Sequence, residues 1–128
     1  MRWLGLAAAL AIAFSASAAA SAPAAGGDAA KGSDVFQDRC TACHALGRSA
    51  QGPDLNGVVG RKAASLPGFN YSAALKASGL TWKRDELDKF LSGPTKLVPG
   101  TNMRAMVANP DERRDLVAYL ASLKGGGH

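Results

Sequence analysis

The chain has 128 residues, with 15 lysines and arginines against 10 aspartates and glutamates, and a formal net charge of +5 at pH 7. This length allows one ordinary domain, and 47% hydrophobic with 20% charged residues excludes a disordered chain, a collagen and a polytopic membrane protein. Alanine supplies much of the hydrophobic fraction, so large apolar side chains are few and the core is thin. Two cysteines cannot form a disulfide-dense scaffold, so disulfides do not compensate for the thin core. We expect a further component to complete the apolar interior.

Residues 1–22 are predicted to be a secretory signal peptide. Arg2 provides a basic start, residues 4–14 form an apolar stretch, and residues 15–25 are a small-residue tract with several possible cleavage sites. The apolar stretch is shorter than the ~20 residues that cross a bilayer, so an uncleaved anchor is the less favoured alternative. We expect cleavage within about residues 18–25. Residues 23–128 are then a single domain located in the periplasm.

The first predicted helix is followed by a long irregular segment. Small and apolar side chains lie among charged ones over residues 28–39, which indicates a short helix ending near Cys40. Residues 47–68 are rich in glycine and contain two prolines, a composition typical of turns, with a brief strand-like pair at Val58 and Val59. We therefore expect loops rather than a sheet in this part of the chain.

Two helices are predicted after residue 71. Ser72 is the candidate N-cap of a short helix over residues 73–77, which Gly79 would close. Thr81 is the candidate N-cap of the second helix, because acidic residues follow it early and apolar residues then recur on one face. These apolar residues are Leu87, Phe90 and Leu91.

The last predicted helix has the clearest sequence pattern. Asn109 is its N-cap, Pro110 its first residue and Glu112 an acid in its first turn. Apolar residues follow at helical spacing, namely Leu116, Leu120 and Leu123. No repeat and no alternating strand pattern is present, so the predicted fold class is all-α. Its long loops require something that orders them.

One pentapeptide carries the chemistry of this sequence. Cys40-Thr41-Ala42-Cys43-His44 has the C-x-x-C-H spacing of c-type haem attachment. On one helical turn, both thiols share a face and can form thioethers with the two vinyl groups of a haem. His44 lies on the same side and can offer a ring nitrogen to the iron. A haem would also serve as the apolar centre that the composition lacks.

Three other interpretations of this motif are less favoured. A redox pair of the thioredoxin type follows a strand of an α/β sheet, and no such sheet is predicted. A structural zinc site needs four ligands, whereas the chain offers two cysteines, His44 and His128. A chance match is disfavoured because haem c is attached outside the cytosol, where the predicted signal peptide directs the chain.

From about Gly27 to Lys124, the sequence resembles the class I cytochromes c, the mitochondrial c and bacterial c2-like monohaem family. Pro99-Gly100-Thr101-Asn102-Met103 resembles the family's P-G-T-K-M segment, whose methionine is the sixth iron ligand. The resemblance implies the cytochrome c fold, with about four to five short helices and long loops around one covalently attached haem c. Cys40 and Cys43 would hold the haem, and His44 and Met103 would be the axial iron ligands.

The resemblance also identifies residues around the haem. Gly52-Pro53-Asp54-Leu55 is similar to the family's G-P-x-L, in which the carbonyl of the proline orients the ligand histidine. Further family-like segments imply contacts at or near the haem propionates for Arg61, Tyr71, Ser72 and Trp82. In the helices, Gly32 and Phe36 resemble the first-helix pair that packs against the last helix, at Leu116 and Tyr119.

Other candidates exist for the sixth ligand, and the chain departs from the family at several positions. Met106 and His128 are alternatives to Met103, but Met106 is expected to pack in the core and His128 follows three flexible glycines. Phe90 replaces a frequent tyrosine and Leu75 an asparagine, which predicts a drier side of the haem. Lysines of the usual docking ring are also replaced, and the nearest remaining basic residues are Arg39, Lys96 and Arg104.

The resemblance implies a soluble periplasmic electron-transfer protein rather than an enzyme, with iron cycling between Fe(II) and Fe(III). The expected partners are membrane-bound respiratory or photosynthetic complexes, such as a cytochrome bc1-type donor and an oxidase or reaction-centre acceptor. A basic haem-edge face of a monomer would meet them, and no nucleic-acid motif is present. A peroxidase-like enzyme or a gas-binding haem protein needs an open iron site, and Met103 counts against both.

Overall fold

Helices joined by irregular segments form the secondary structure in the computed structural model, which describes residues 26–124. In chain order, the helices of that range are α1 (Ala29–Arg39), α2 (Ala73–Ala77), α3 (Arg84–Ser92), α4 (Pro94–Leu97) and α5 (Pro110–Ser122). No β-strand occurs within it, so the all-α prediction is confirmed. The predicted signal peptide at residues 1–22, its cleavage site and His128 lie outside the described residues.

Three helices begin at side chains that accept hydrogen bonds from amides of the first turn. These N-caps are Asp28 for α1, Ser72 for α2 and Asn109 for α5. Asn109 Oδ1 accepts from the amides of Asp111 and Glu112 at 2.8 and 3.3 Å. The caps predicted at Ser72 and Asn109 are confirmed. They could be predicted because a cap depends on residues that are adjacent in sequence.

The N-cap predicted for α3 is wrong. Lys83 rather than Thr81 occupies that position, and no side chain caps the helix. Thr81 instead forms an isolated bridge with Lys62, and the adjacent Trp82 N–H donates to the carbonyl of Arg61 at 2.8 Å. The backbone before α3 is therefore engaged by a distant loop, which delays the start of the helix.

Two further details differ from the sequence prediction. Val58 and Val59 lie in turns, because the Val58 amide donates to Leu55 and the Val58 carbonyl accepts from Arg61 three residues on. The brief strand-like pair is therefore absent. The short helix α4 was not predicted by the local pattern, although proline at its first position favours a helix start.

α1 and α5 pack closely at a glycine. A Cβ atom at Gly32 would collide with the backbone carbonyl of Asp115 in α5. One turn further along α1, the centroids of the Phe36 and Tyr119 rings are 5.4 Å apart, and the nearby Leu116 is fully buried. The helix contact implied by the family resemblance is confirmed, and α3 packs against both α5 and α4.

An apolar cluster joins the helices to the loops. Its buried members include Val58, Ala63, Trp82, Leu87, Phe90, Leu91, Val98, Val107, Leu116, Val117 and Leu120. Trp82 and Phe90 pack ring against ring at 4.9 Å. Partly buried apolar side chains pack against this cluster, among them Leu55, Leu75, Leu80, Leu97 and Met103. Within residues 26–124, no helix is both long and apolar enough to cross a membrane.

Candidate functional site

The C-x-x-C-H motif forms a turn directly after α1. The amides of Cys43 and His44 both donate to the carbonyl of Cys40, at 3.1 and 2.9 Å. These bonds put the two thiols and the imidazole within one turn, which is the arrangement expected from their spacing. Both cysteines are free thiols of intermediate exposure.

His44 is oriented by a carbonyl from the following loop. Its Nδ1 lies 2.8 Å from the carbonyl oxygen of Pro53. A carbonyl only accepts, so Nδ1 carries the proton and donates, and Nε2 keeps a lone pair that can bind a metal. Burial lowers the pKa of His44, and the bond to Pro53 opposes that change only in part. The ring is therefore neutral at pH 7, as an iron ligand must be.

Gly52 forms the wall behind this imidazole. A Cβ at position 52 would meet the ring at Cε1, and it would lie 2.6 Å from Nδ1 and 2.8 Å from Nε2 of His44. The Gly52 amide also donates to the carbonyl of Cys43 at 2.7 Å, which fixes the loop on the motif. The sequence pattern assigned a role to Pro53 and missed the steric role of Gly52, although the glycine stands next to the proline in the same motif.

The thiol of Cys40 stays protonated at neutral pH. Burial, and to a smaller extent the neighbouring Cys43, raise its pKa to about 11, although Arg39 opposes this shift in part. A reactive thiolate of a redox enzyme would require the opposite shift. In the part of the chain that the structure describes, no group of three or more His, Cys, Asp or Glu side chains is arranged to hold a metal ion.

Asp54 ties together the loops on the two sides of Pro53. Its buried Oδ1 accepts from the amides of Gly47 and Asn56, at 3.0 and 2.9 Å, and its own amide donates to Ser49 Oγ at 3.3 Å. The carbonyl that orients His44 is therefore supported on both sides by hydrogen bonds.

The four residues expected near the haem propionates belong to two groups. Arg61 donates through Nη2 to the carbonyl of Asp54 at 2.8 Å, and its own carbonyl accepts from the amide of the buried Trp82. Tyr71 is also buried, whereas the Ser72 hydroxyl caps α2. The structure thus connects Arg61 and Trp82 to the loop that orients His44, and it places Tyr71 directly before α2.

Met103 is half-buried and packs against the apolar cluster. Its amide donates to Oγ1 of the buried Thr101 at 3.4 Å, and the preceding Gly100 has a φ of 94°, a left-handed conformation that favours glycine. Met106 is 50% exposed, so the expectation that it packs in the core is wrong. It follows Met103 in an exposed stretch over residues 104–106, where no core surface is available.

These side chains fit a covalently attached haem. The site offers two free thiols within one turn and a neutral imidazole whose Nε2 is left for iron. Gly52 leaves space for the His44 ring that the side chain of any larger residue would occupy. The partly buried leucines and Met103 provide apolar contacts of the kind that a flat macrocycle requires.

Comparison with known proteins agrees with this chemistry. The sequence model of the family described as cytochrome c matches residues 29–124. The chain is similar to cytochrome c2 of Rhodomicrobium vannielii, with 50% identity over 105 residues that cover 79% of this chain and 83% of the relative. It is 48% identical to cytochrome c2 of Agrobacterium tumefaciens over 101 residues, which cover 73% of this chain and 90% of the relative. A similar solved structure is cytochrome cH from Methylobacterium extorquens, with a TM-score of 0.72, 44% identity, and coverage of 75% of this chain and 99% of that one.

Proposed function

This chain belongs to the cytochrome c family, and from that premise we propose that it is a periplasmic one-electron carrier whose axial iron ligands are His44 and Met103. Its cofactor is covalent haem c, and its function is electron transfer rather than an enzymatic reaction. When bound, the haem supplies an iron that alternates between Fe(II) and Fe(III). The observation that carries the proposal is the hydrogen bond from His44 Nδ1 to the carbonyl of Pro53, because His44 lies in the same turn as both thiols.

In this proposal, Cys40 and Cys43 hold the cofactor. Each thiol would add across one vinyl group, with its sulfur bonding to one carbon and its hydrogen to the other, so that no oxidant is needed. The protonated state of Cys40 agrees with this addition. The turn that follows α1 keeps both sulfur atoms on one face, since the two residues are three positions apart.

The proposed ligand pair determines what the iron can do. His44 offers Nε2 in a fixed orientation because Pro53 holds its other nitrogen. Met103 offers a soft thioether that favours Fe(II) and so raises the reduction potential. If His44 and Met103 both bind the iron, they would occupy the positions that a substrate or gas needs, which favours electron transfer without substrate binding. We also propose that Arg61, Tyr71, Ser72 and Trp82 surround the propionate side of the haem.

The location and partners of the protein belong to the same proposal. The predicted signal peptide at residues 1–22 directs the chain to the periplasm, and two of the similar bacterial proteins are named cytochrome c2. We propose membrane-bound respiratory or photosynthetic complexes as electron donor and acceptor. Arg39, Lys96 and Arg104 are exposed basic residues that could approach an acidic partner surface.

The visible spectrum of the matured holoprotein tests the ligand assignment. A sharp α-band after reduction and a weak far-red band in the ferric form are expected for His/Met ligation. Met103→Ala should remove the far-red band and allow carbon monoxide to bind the reduced iron at neutral pH. Met106→Ala is the matched control, because the exposed Met106 should leave both properties unchanged. A high-spin spectrum of the unsubstituted protein, or loss of the band in the control only, would overturn the assignment of Met103.

Cell fractionation tests the proposed location. The holoprotein should be recovered with the periplasmic fraction, and its first residue should lie within about residues 18–25 of the printed sequence. Haem attached to protein retained in the cytosol would contradict this part of the proposal without affecting the ligand assignment.

A further inference from the structure

Arg113 joins three parts of the fold through one guanidinium group. It lies in α5, and only 13% of its side chain is exposed. Its Nε donates to Asp88 Oδ1 of α3 at 2.9 Å. Its Nη1 donates to the carbonyls of Val107 and Ala108, at 3.0 and 2.8 Å. The side chain therefore connects α3 and α5 to the segment that leads back to Met103.

Val107 is the point at which that segment is held. Its side chain is 3% exposed, and its amide donates to the carbonyl of Leu91 in α3 at 2.9 Å. Its carbonyl is the one that accepts from Arg113. On the other side of Met103, the buried Thr101 is held by a bond from its amide to the carbonyl of Val98 at 3.0 Å.

Met103 thus lies in a strap, residues 101–107, that is fixed at both ends. The residues between Met103 and Val107 are exposed, so the strap gains little from packing over that stretch. The four Cα–Cα steps from Met103 to Val107 can span about 13 Å when extended, and release of the Val107 end would therefore give Met103 ample room to move.

We infer that Arg113 is a positioning residue that fixes the strap at Val107 and Ala108 and so keeps Met103 in place on the iron. This inference rests on the proposed assignment of Met103 as an axial ligand. Hydrogen bonds from a charged donor of low exposure are stronger than neutral ones. Arginine suits the role because its planar group donates in fixed directions to separate acceptors, which a lysine ammonium cannot reproduce.

The next residue along α5 supplies a matched control. Arg114 has the same charge and lies on the same helix, but its side chain is 52% exposed and pairs with Asp111, also in α5. The pair Arg113→Lys and Arg114→Lys therefore separates the contact with the strap from a general change of an arginine in this helix.

The experiment measures how readily added imidazole replaces Met103 in the ferric holoprotein. Loss of the far-red band is the signal that reports the replacement. Arg113→Lys should bind imidazole about tenfold more tightly than the unsubstituted protein, because the strap opens more easily. Arg114→Lys should bind it with unchanged affinity. Asp88→Asn, which removes the charged partner of Arg113, should shift the affinity in the same direction by less. Hydrogen exchange at the Val107 amide should quicken in Arg113→Lys and not in Arg114→Lys.

Each outcome separates this inference from the proposal on which it rests. Absence of the far-red band from the unsubstituted protein would overturn the assignment of Met103 and, with it, the role of Arg113 at the iron. A band that is present and equally resistant to imidazole in all variants would overturn the role of Arg113 alone. A lower unfolding temperature of Arg113→Lys with unchanged imidazole affinity would also overturn it, since that result indicates a purely structural contact.

Discussion

Gly52 and His44 are in such close contact that no side chain fits between them. A Cβ at position 52 would lie 2.6 Å from Nδ1, the same atom that donates to the Pro53 carbonyl at 2.8 Å. Real Cβ contacts are not this short, so a substitution must displace either the loop or the ring. The glycine and the proline thus control one imidazole through complementary means, the glycine by leaving space and the proline by accepting a hydrogen bond.

Gly52→Ala is expected to disturb the orientation of His44. Overpacking at such a site costs about 1–3 kcal/mol of folding free energy, and the displaced ring should also lower the yield of correctly ligated holoprotein. Thermal unfolding and the reduced α-band measure the two effects. Gly26→Ala is the control, because its Cβ would meet chiefly the end of the flexible Arg84 side chain. A Gly52→Ala protein with the unfolding temperature and spectrum of the control would contradict the contact.

Gly32→Ala is expected to force α1 and α5 apart. Its Cβ would collide with the Asp115 carbonyl and lie 2.8 Å from Tyr119 Cβ, and neither the helix backbone nor Tyr119 Cβ can move independently. We expect a loss of about 3 kcal/mol, measured by chemical denaturation. Alanine is otherwise the better helix former by about 1 kcal/mol, so the intrinsic preference has the opposite sign. Ser33→Ala in the same helix serves as the control, and equal stability of the two variants would refute close packing at Gly32.

Ala64→Gly is expected to stabilise the protein. Ala64 has a φ of 58°, and it is the only non-glycine residue with positive φ in the range 26–124. A left-handed backbone conformation costs an L-residue roughly 1–2 kcal/mol. Glycine removes this cost, but its greater freedom in the unfolded chain offsets part of the gain. We therefore expect a net gain of about 1 kcal/mol. As a control, the same substitution at Ala118, in the interior of α5, should cost about 1 kcal/mol. A destabilised Ala64→Gly protein would show that the loop carries no strain at this position.

The lowered pKa of His44 makes its ligation insensitive to pH near neutrality. An imidazole ordinarily takes up a proton at about pH 6.5, and burial moves that event of His44 to lower pH in the folded protein. Protons therefore compete with iron for Nε2 only at a pH below the ordinary range of imidazole, and the visible spectrum should stay constant as the pH falls from about 8 to 7. The sequence contains two histidines, so His128→Gln leaves only His44. In that variant, NMR should detect no imidazole that titrates at pH 6.5 or above; such a titration, coupled to a spectral change, would disprove the shift.

The elements that the sequence predicted correctly depend on neighbours along the chain. The C-x-x-C-H turn places its thiols and imidazole by helical spacing alone, and Ser72 and Asn109 cap their helices through side chains that reach amides two or three residues on. Such short-range bonds form wherever the local residues allow them. For this reason, the sequence was enough to predict the all-α class, the attachment motif, both ends of α2 and the start of α5.

What only the tertiary structure decided concerns residues whose partners are distant in sequence. Thr81 has the composition of an N-cap, yet its bridge to Lys62 moves the start of α3 to a later residue. Arg113 and Arg114 are identical neighbours in the sequence, and only the approach of Asp88 and Val107 distinguishes the buried one from the exposed one. The sequence by itself determined the local turns, caps and attachment chemistry, because these depend on a few adjacent residues. The contact of Gly52 with the His44 ring, and the anchor of the Met103 strap at Val107, whose amide bonds to Leu91 in α3, arise from packing that the local pattern does not encode.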